Sequence, residues 1–369
     1  MSTIGALFLA LVVLYLLDCV VVVPDDALVL VEERDRHWRV VDAGFALGAL
    51  RQRLVFVSAL RPHAGIAVIP GWTVALAPTG LVFRDATGHS RVLRFEALSA
   101  IQTYGESVRC GLGTLRVHSP RRARWLARII ATLSTAPAHA RAQLIDAALT
   151  ELTSIDSVTT RVRRYRSEAR WLPTLGALLF LHLFAMWPLA VGWLGLHATW
   201  APILAELALL LVLIGWRFVR ARRALVGADG EREIAPVVTL ALSPPAATRA
   251  TSLLARDLLG DVHPITTVLA LCRERDSVAL AARAWRDARF ARRATASPEE
   301  REIEDWFAAR WQRHLERLIT HTVTLHHLPT APARDGASGS YCPRCWTQYS
   351  GIAGTCTDCE GVSLMAFAS

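Results

Sequence analysis

The chain has 369 residues, 53% of them hydrophobic and 20% charged, with a formal charge of +9 and seven cysteines. Its length allows two or three domains with a substantial core. An odd cysteine count, with four residues grouped near the C-terminus and three scattered, excludes a secreted disulfide framework. All the positive side chains are arginine. Lysine and asparagine are both absent, a pattern that G+C-rich bacterial codon usage explains without chemistry. The basic balance suits either nucleic acid or the cytoplasmic face of a membrane, so the placement of the arginines has to decide.

The first apolar run is Ile4 to Val23. As a helix it would reach about 30 Å, the depth of a bilayer's hydrocarbon layer. No basic residue precedes it, and Pro24, Asp25 and Asp26 follow it in place of a small-residue cleavage site. It therefore reads as an uncleaved transmembrane helix over 4–23.

Residues 27–135 read as a β-rich cytoplasmic domain. Short apolar stretches alternate with turn signals at Pro62, Pro70-Gly71, Pro78-Thr79-Gly80, Asp85 to Gly88 and Gly105. The strand candidates are 27–32, 38–43, 54–60, 65–69, 73–76, 81–84, 91–95, 100–104, 107–109 and 113–117. A helix follows, with Ser119 as its cap and Pro120 at its first position. Trp125, Ile129, Ile130 and Leu133 line one face of it. From Val92 to Leu133 this order of elements resembles the end of bacterial pleckstrin-homology-like modules: Phe95-x-x-Leu98, a hairpin at Gly105, a last strand, then the helix. The resemblance implies a small barrel used for docking and implies no catalysis. Arg121, Arg122, Arg124 and Arg128 form a basic face on that helix, read as solvated, with anionic lipid as the sharper alternative. A connecting helix spans 138–170, with Leu144, Ala148, Leu152 and Ile155 as its stripe.

Two further spans, 172–196 and 200–219, form a tight hairpin. Tryptophans crowd its turn, as in an interfacial belt, and Pro188 should kink or shorten the first arm. Arg161, Arg163, Arg164, Arg166 and Arg170 precede the hairpin, and Arg217, Arg220, Arg222 and Arg223 end it. Cytoplasmic loops collect such charge. The expected arrangement has three spans in a bacterial inner membrane, with the N-terminus outside and both soluble regions inside. Asp18, His182 and Glu206 are ionisable groups at membrane depth, where such groups are costly. Placement at the interface or pairing across the bundle is the ordinary expectation, and a proton or ion path is the sharper one.

After the hairpin, Val237 to Leu242 could form a strand. Helices are expected over 246–259, 264–273, 277–293 and 298–319, making a helical cytoplasmic domain over 237–320. Ser297, Pro298, Glu299 and Glu300 mark the start of the last helix. His321, His326 and His327 show no metal-binding spacing. Residues 330–340, rich in Pro, Ala, Gly and Ser, read as a linker.

The strongest local signal follows. Cys342-Pro343-Arg344-Cys345, ten residues, then Cys356-Thr357-Asp358-Cys359 gives two C-x-x-C units. Each can wrap one side of a metal ion, and four thiolates complete a tetrahedral shell. Residues 341–368 resemble the zinc-ribbon family with rubredoxin-type knuckles. That family implies a structural zinc ion held by Cys342, Cys345, Cys356 and Cys359, with no open coordination position and so no catalysis. Gly351, Gly354 and Gly361 suit the tight chain path, and Trp346 and Tyr349 can cover the core. With Arg344 as its only arginine, the ribbon favours a protein contact over nucleic acid.

The fold class expected is thus an integral membrane α-helical anchor of three spans with a PH-like cytoplasmic domain, a small helical domain and a zinc ribbon. The function expected is a membrane-anchored adaptor or regulatory protein that binds protein partners, or itself, on the cytoplasmic face. The sequence shows no P-loop, G-x-S-x-G, H-E-x-x-H or G-x-G-x-x-G pattern. A membrane enzyme without a recognisable motif is one alternative. The other is a nucleic-acid-binding membrane protein using Arg283, Arg286, Arg289, Arg292 and Arg293.

Overall fold

The structure is a computed structural model. It describes residues 3–18, 20–24, 28–32, 38–41, 52–56, 65–68, 74–84, 90–98, 100–110, 113–117, 119–226, 238–240, 242–248, 250–289, 297–322, 331–359 and 362–367. The chain is mostly helical, with several small sheets, and divides into two compact units, 1–69 with 157–259 and 70–156 with 260–369.

In the first unit, helix α1 covers Thr3–Asp18 and strand β1 covers Val20–Pro24. The end of the expected 4–23 span is therefore extended. β1 pairs antiparallel with β4, Gln52–Phe56, from Val20 opposite Phe56 to Pro24 opposite Gln52. Four consecutive valines explain the switch, since β-branched side chains favour extended backbone. A 16-residue helix rises about 24 Å. Strand β2, Leu28–Glu32, lies between β3, Trp38–Val41, and β5, Gly65–Val68.

The connecting helix expected over 138–170 is two helices, α3 over Ala138–Leu152 and α4 over Ile155–Glu168. Thr153 ends α3: it leaves helical geometry at φ −112°, ψ 18°, and its hydroxyl donates to Leu149 O.

Among the described residues, two helical segments are long and apolar enough to cross a membrane, Leu172–Leu194 and Leu196–Leu225. The first is built of α5, Leu172–Leu181, a π-helical turn at His182–Met186, and α6, Trp187–Leu194. The wide turn just precedes Pro188. Trp187 N–H bonds to His182 O, and the helix then continues past the residue that has no N–H to give. Gly195, at φ +81°, turns the chain into α7, Leu196–Val226. That helix outruns the expected 200–219 span, so Arg217, Arg220, Arg222 and Arg223 lie in its last turns.

Residues 238–240 are helical where a strand over 237–242 was expected, with Ser243 N–H bonded to Thr239 O. Helix α8, Pro244–Thr248, is wholly buried and packs on α5. A Cβ at Gly176 would lie only 2.9 Å from Thr248 O. Small residues on both sides permit this approach, as in membrane helix pairs. Helix α9, Ala250–Leu259, packs on β5. Tyr165 on α4 donates to Thr251 O, and Arg161 Nη1 to Leu258 O. Residues 238–259 thus belong with the apolar hairpin, and the expected 237–320 domain is divided at this point.

In the second unit, β6, β7 and β8 (Val74–Ala77, Gly80–Arg84, Ser90–Arg94) form one meander. β9, β10 and β11 (Gln102–Tyr104, Ser107–Cys110, Gly113–Arg116) form another. Helix α2, Pro120–Thr135, lies on the second meander, with Ser119 Oγ accepting from Arg122 N–H at 3.3 Å. The first meander is covered by a distant part of the sequence, α12, Pro298–Thr322, whose Ile303 and Trp306 meet Ala77 and Val82. Ser297 and Glu300 cap α12 reciprocally. The β-rich stretch 27–135 therefore contributes to both units, because each of its halves is covered by C-terminal helices far away in sequence.

Arg141 on α3 is buried. Its guanidinium donates to Glu96 Oε1, Pro78 O and Ala136 O, and lies 5.1 Å from the Phe95 ring centroid. One side chain thus ties α3 to the turn between β6 and β7 and to the 3-10 turn at Phe95–Ala97.

Candidate metal centre

The four paired cysteines come together. The Sγ atoms of Cys342, Cys345, Cys356 and Cys359 all lie within 4.8 Å of one another. Cys345 Sγ and Cys356 Sγ are 3.6 Å apart, and all four cysteines are free of disulfides. Four thiolates at zinc's usual bond length sit about 3.8 Å apart, so this donor set fits a tetrahedral ion.

Two backbone turns set the geometry. Cys342 N–H bonds to Thr347 O, and Trp346 N–H returns to Cys342 O. The second C-x-x-C is held alike, with Cys356 N–H on Val362 O and Leu364 N–H on Gly354 O. Strand β12, Ser340–Tyr341, pairs with β13, Gln348–Tyr349, and with β14, Met365–Ala366. Gly354 stands at φ +143°, where a side chain would be strained. Gly361 lies outside the described residues.

Burial pushes the Cys342 thiol up to about 11 and raises Cys359 as well. At Cys356 burial acts the same way but is outweighed. The Tyr349 hydroxyl donates to its sulfur at 3.2 Å and Cys359 N–H at 3.3 Å, bringing it down to about 7. Four sulfurs this close repel one another as anions. A divalent cation would remove that repulsion and let all four ionise. Tyr349, Val362 and Leu364 pack around the cluster.

Trp346 does not cover that core. It has φ +68° and packs instead on Arg286 of α11, Glu274–Arg289, whose guanidinium carbon lies 3.6 Å from the ring centroid. Arg286 also donates to Arg344 O at 3.4 Å. The expected linker 330–340 is ordered over 331–340. Asp335 accepts from Ala337 and Ser338 N–H, and Gln348 bridges Ala333 O and Asp335 N–H. The ribbon's outer layer therefore begins near Ala333.

Other singled-out residues take varied places. Cys110 is buried, and burial raises its thiol. The Cys272 thiol is pushed up to about 12 by burial and then by Asp276, so at both positions the thiol is favoured over the thiolate. Cys19, His326, His327, Arg292 and Arg293 lie outside the described residues, as do the side chains of Asp18, His321 and Arg289. His182 and Glu206 meet across the hairpin, with Nε2 and Oε1 3.0 Å apart.

The sequence missed one buried histidine cluster. His263 Nδ1 accepts from Ile265 N–H and caps α10, Pro264–Leu271. Its ring lies 4.4 Å from Trp311, which stacks in turn on His314. The partner of His314 is Thr153 Oγ1. His263-Pro264 at a helix start was the only local signal for it.

Comparison with family models, with curated proteins and with solved structures finds no match for this chain.

Proposed function

We propose that the chain is a membrane-anchored adaptor or regulatory protein, with zinc as the structural ion of the ribbon. The hairpin fixes it in a bacterial inner membrane with both soluble regions on the cytoplasmic side, and the ribbon engages a protein partner or a second copy. One observation carries this reading: a four-cysteine cluster built for structure shares a chain with two helices apolar enough to span a bilayer. All four donors come from the protein, so a bound zinc ion would hold the fold and leave no position for substrate. Ile352, 72% exposed, and Met365, 46% exposed, project from the ribbon as apolar contact points. With Arg344 as its only arginine, beside Asp358 and Glu360, the ribbon favours protein over nucleic acid, and Arg286, one of five arginines considered for nucleic acid, is occupied by Trp346. The PH-like reading of the β-rich region adds a second docking surface.

A photo-crosslinking residue at position 352, in intact cells, tests the proposal. One partner, or the chain itself, should be captured in high yield. Capture should fail in a variant that carries Met365→Glu beside the crosslinker and still binds zinc. Recovery of an uncrosslinked chain, alone in several mild detergents, contradicts it.

A further inference from the structure

His182 sits in the π-helical turn of the first hairpin arm, and Glu206 faces it from α7. His182 precedes the Gly195 turn by 13 residues and Glu206 follows it by 11. Both therefore lie about 16–20 Å from the turn, near the middle of a hydrocarbon layer about 30 Å thick. Ionisable groups at that depth are costly, and they either pair with one another, as these two do, or mark proton and ion paths. A π turn at the same place is a further frequent companion of functional sites.

The hydrogen bonds fix the number of protons. His182 Nδ1 lies 2.8 Å from Leu178 O. A carbonyl oxygen only accepts, so Nδ1 carries a hydrogen. A neutral ring then presents a bare Nε2, which lies 3.0 Å from Glu206 Oε1. An ionised carboxylate is also only an acceptor. Two lone pairs cannot face each other at this distance without a proton between them. The other carboxyl oxygen, Oε2, accepts from Trp187 Nε1–H at 2.8 Å and is thereby oriented. The imidazole side chain is 18% exposed and the carboxyl side chain 42%, so the carboxyl remains open on the side away from the ring.

We propose that His182 and Glu206 form an intramembrane proton-binding site, which holds one proton between Nε2 and Oε1. The bound state is imidazolium–carboxylate or imidazole–carboxylic acid, which differ only in the position of that proton. Release of that proton would force the bare Nε2 and the carboxylate apart. Helix α1, which touches the π turn, carries Tyr15 and Asp18. Helix α9, packed on α5 and α7, carries Arg256 and Asp257, and α8 carries none. The inference rests on the hairpin lying in a bilayer, which flotation with liposomes checks separately.

The test is labelling of the full chain in lipid nanodiscs by dicyclohexylcarbodiimide, which attacks protonated carboxyls in apolar surroundings, with peptide mapping by mass spectrometry. Wild-type Glu206 should be modified, because a proton shared with the ring spends part of its time on Oε1. In His182→Gln the ring no longer competes for that proton, so labelling at one fixed pH should rise several-fold. Wild-type Glu206 that resists the reagent overturns the proposal. So does identical labelling in the variant. The wild-type result decides the matter even where the variant fails to fold.

Discussion

The guanidinium of Arg286 lies over the indole of Trp346, 3.6 Å from the ring centroid, and fastens the first cysteine knuckle to helix α11. The residue that follows Cys345 therefore serves docking, and the cluster is packed by Tyr349, Val362 and Leu364.

Arg286→Ala should loosen the ribbon without removing its metal. A desolvated cation–π contact contributes up to about 2 kcal/mol, and the bond to Arg344 O is lost with it. Limited proteolysis should cut faster between 323 and 340 in the variant at unchanged zinc content. Arg286→Lys should restore only part of the protection, because an ammonium lacks the planar stacking surface.

Arg141→Met should destabilise the second unit by about 1–3 kcal/mol, since Pro78 O and Ala136 O lose their donor in a half-buried place. Glu96→Gln should be far milder, because Glu96 lies at the surface. The hydrogen bond from Arg141 holds the Glu96 carboxyl below its ordinary 4.5. Its contribution is present above that value and is lost as the pH falls through the lowered one. Chemical denaturation at several pH values should show an acid-side loss that shrinks in Glu96→Gln.

Burial, followed by Arg122 and His314, holds the His263 imidazole well below its ordinary 6.5. His314 is lowered too, by burial first and then by Arg317. The folded chain stays neutral at both rings while the unfolded chain binds protons. Stability should therefore be constant above about 6.5 and fall as the pH drops below it. His263→Asn, which keeps a capping acceptor, should retain fold at neutral pH and flatten part of this slope in pH-dependent melting curves.

Gly176→Ala should destabilise the packing of α5 on α8, because the new methyl carbon would meet Thr248 O at 2.9 Å, and backbone cannot swing aside as a side chain can. The expected loss is about 1–3 kcal/mol. Gly215→Ala, into open space on α7, is the control and should be neutral or slightly stabilising. Thermal unfolding in detergent compares the two.

The cysteine cluster was legible because its ligands are local: two pairs, each within one turn of chain, carry their own geometry. Strands β2 to β11 were legible for a similar reason, with alternation and turn residues placing them within a few positions. Val20–Pro24 was not, because the short apolar stretch after Asp18 reads equally as helix or strand until β4 supplies its partner. The division into units was hidden as well. Ile303 on β6 and β7, and Thr248 against Gly176, are contacts between segments more than 70 residues apart. The pairing of His182 with Glu206 left a faint trace, since the two stand at nearly mirrored distances from the hairpin turn. Arg286 left none, for nothing in an arginine on an amphipathic helix announces a distant tryptophan.

Metal content of the full chain extracted from membranes tests the central claim most directly. The account predicts one zinc ion per chain by elemental mass spectrometry, lost in Cys356→Ser and unchanged in Cys272→Ser. A membrane-extracted chain that is folded and free of metal, or one found only in the soluble fraction, would contradict it.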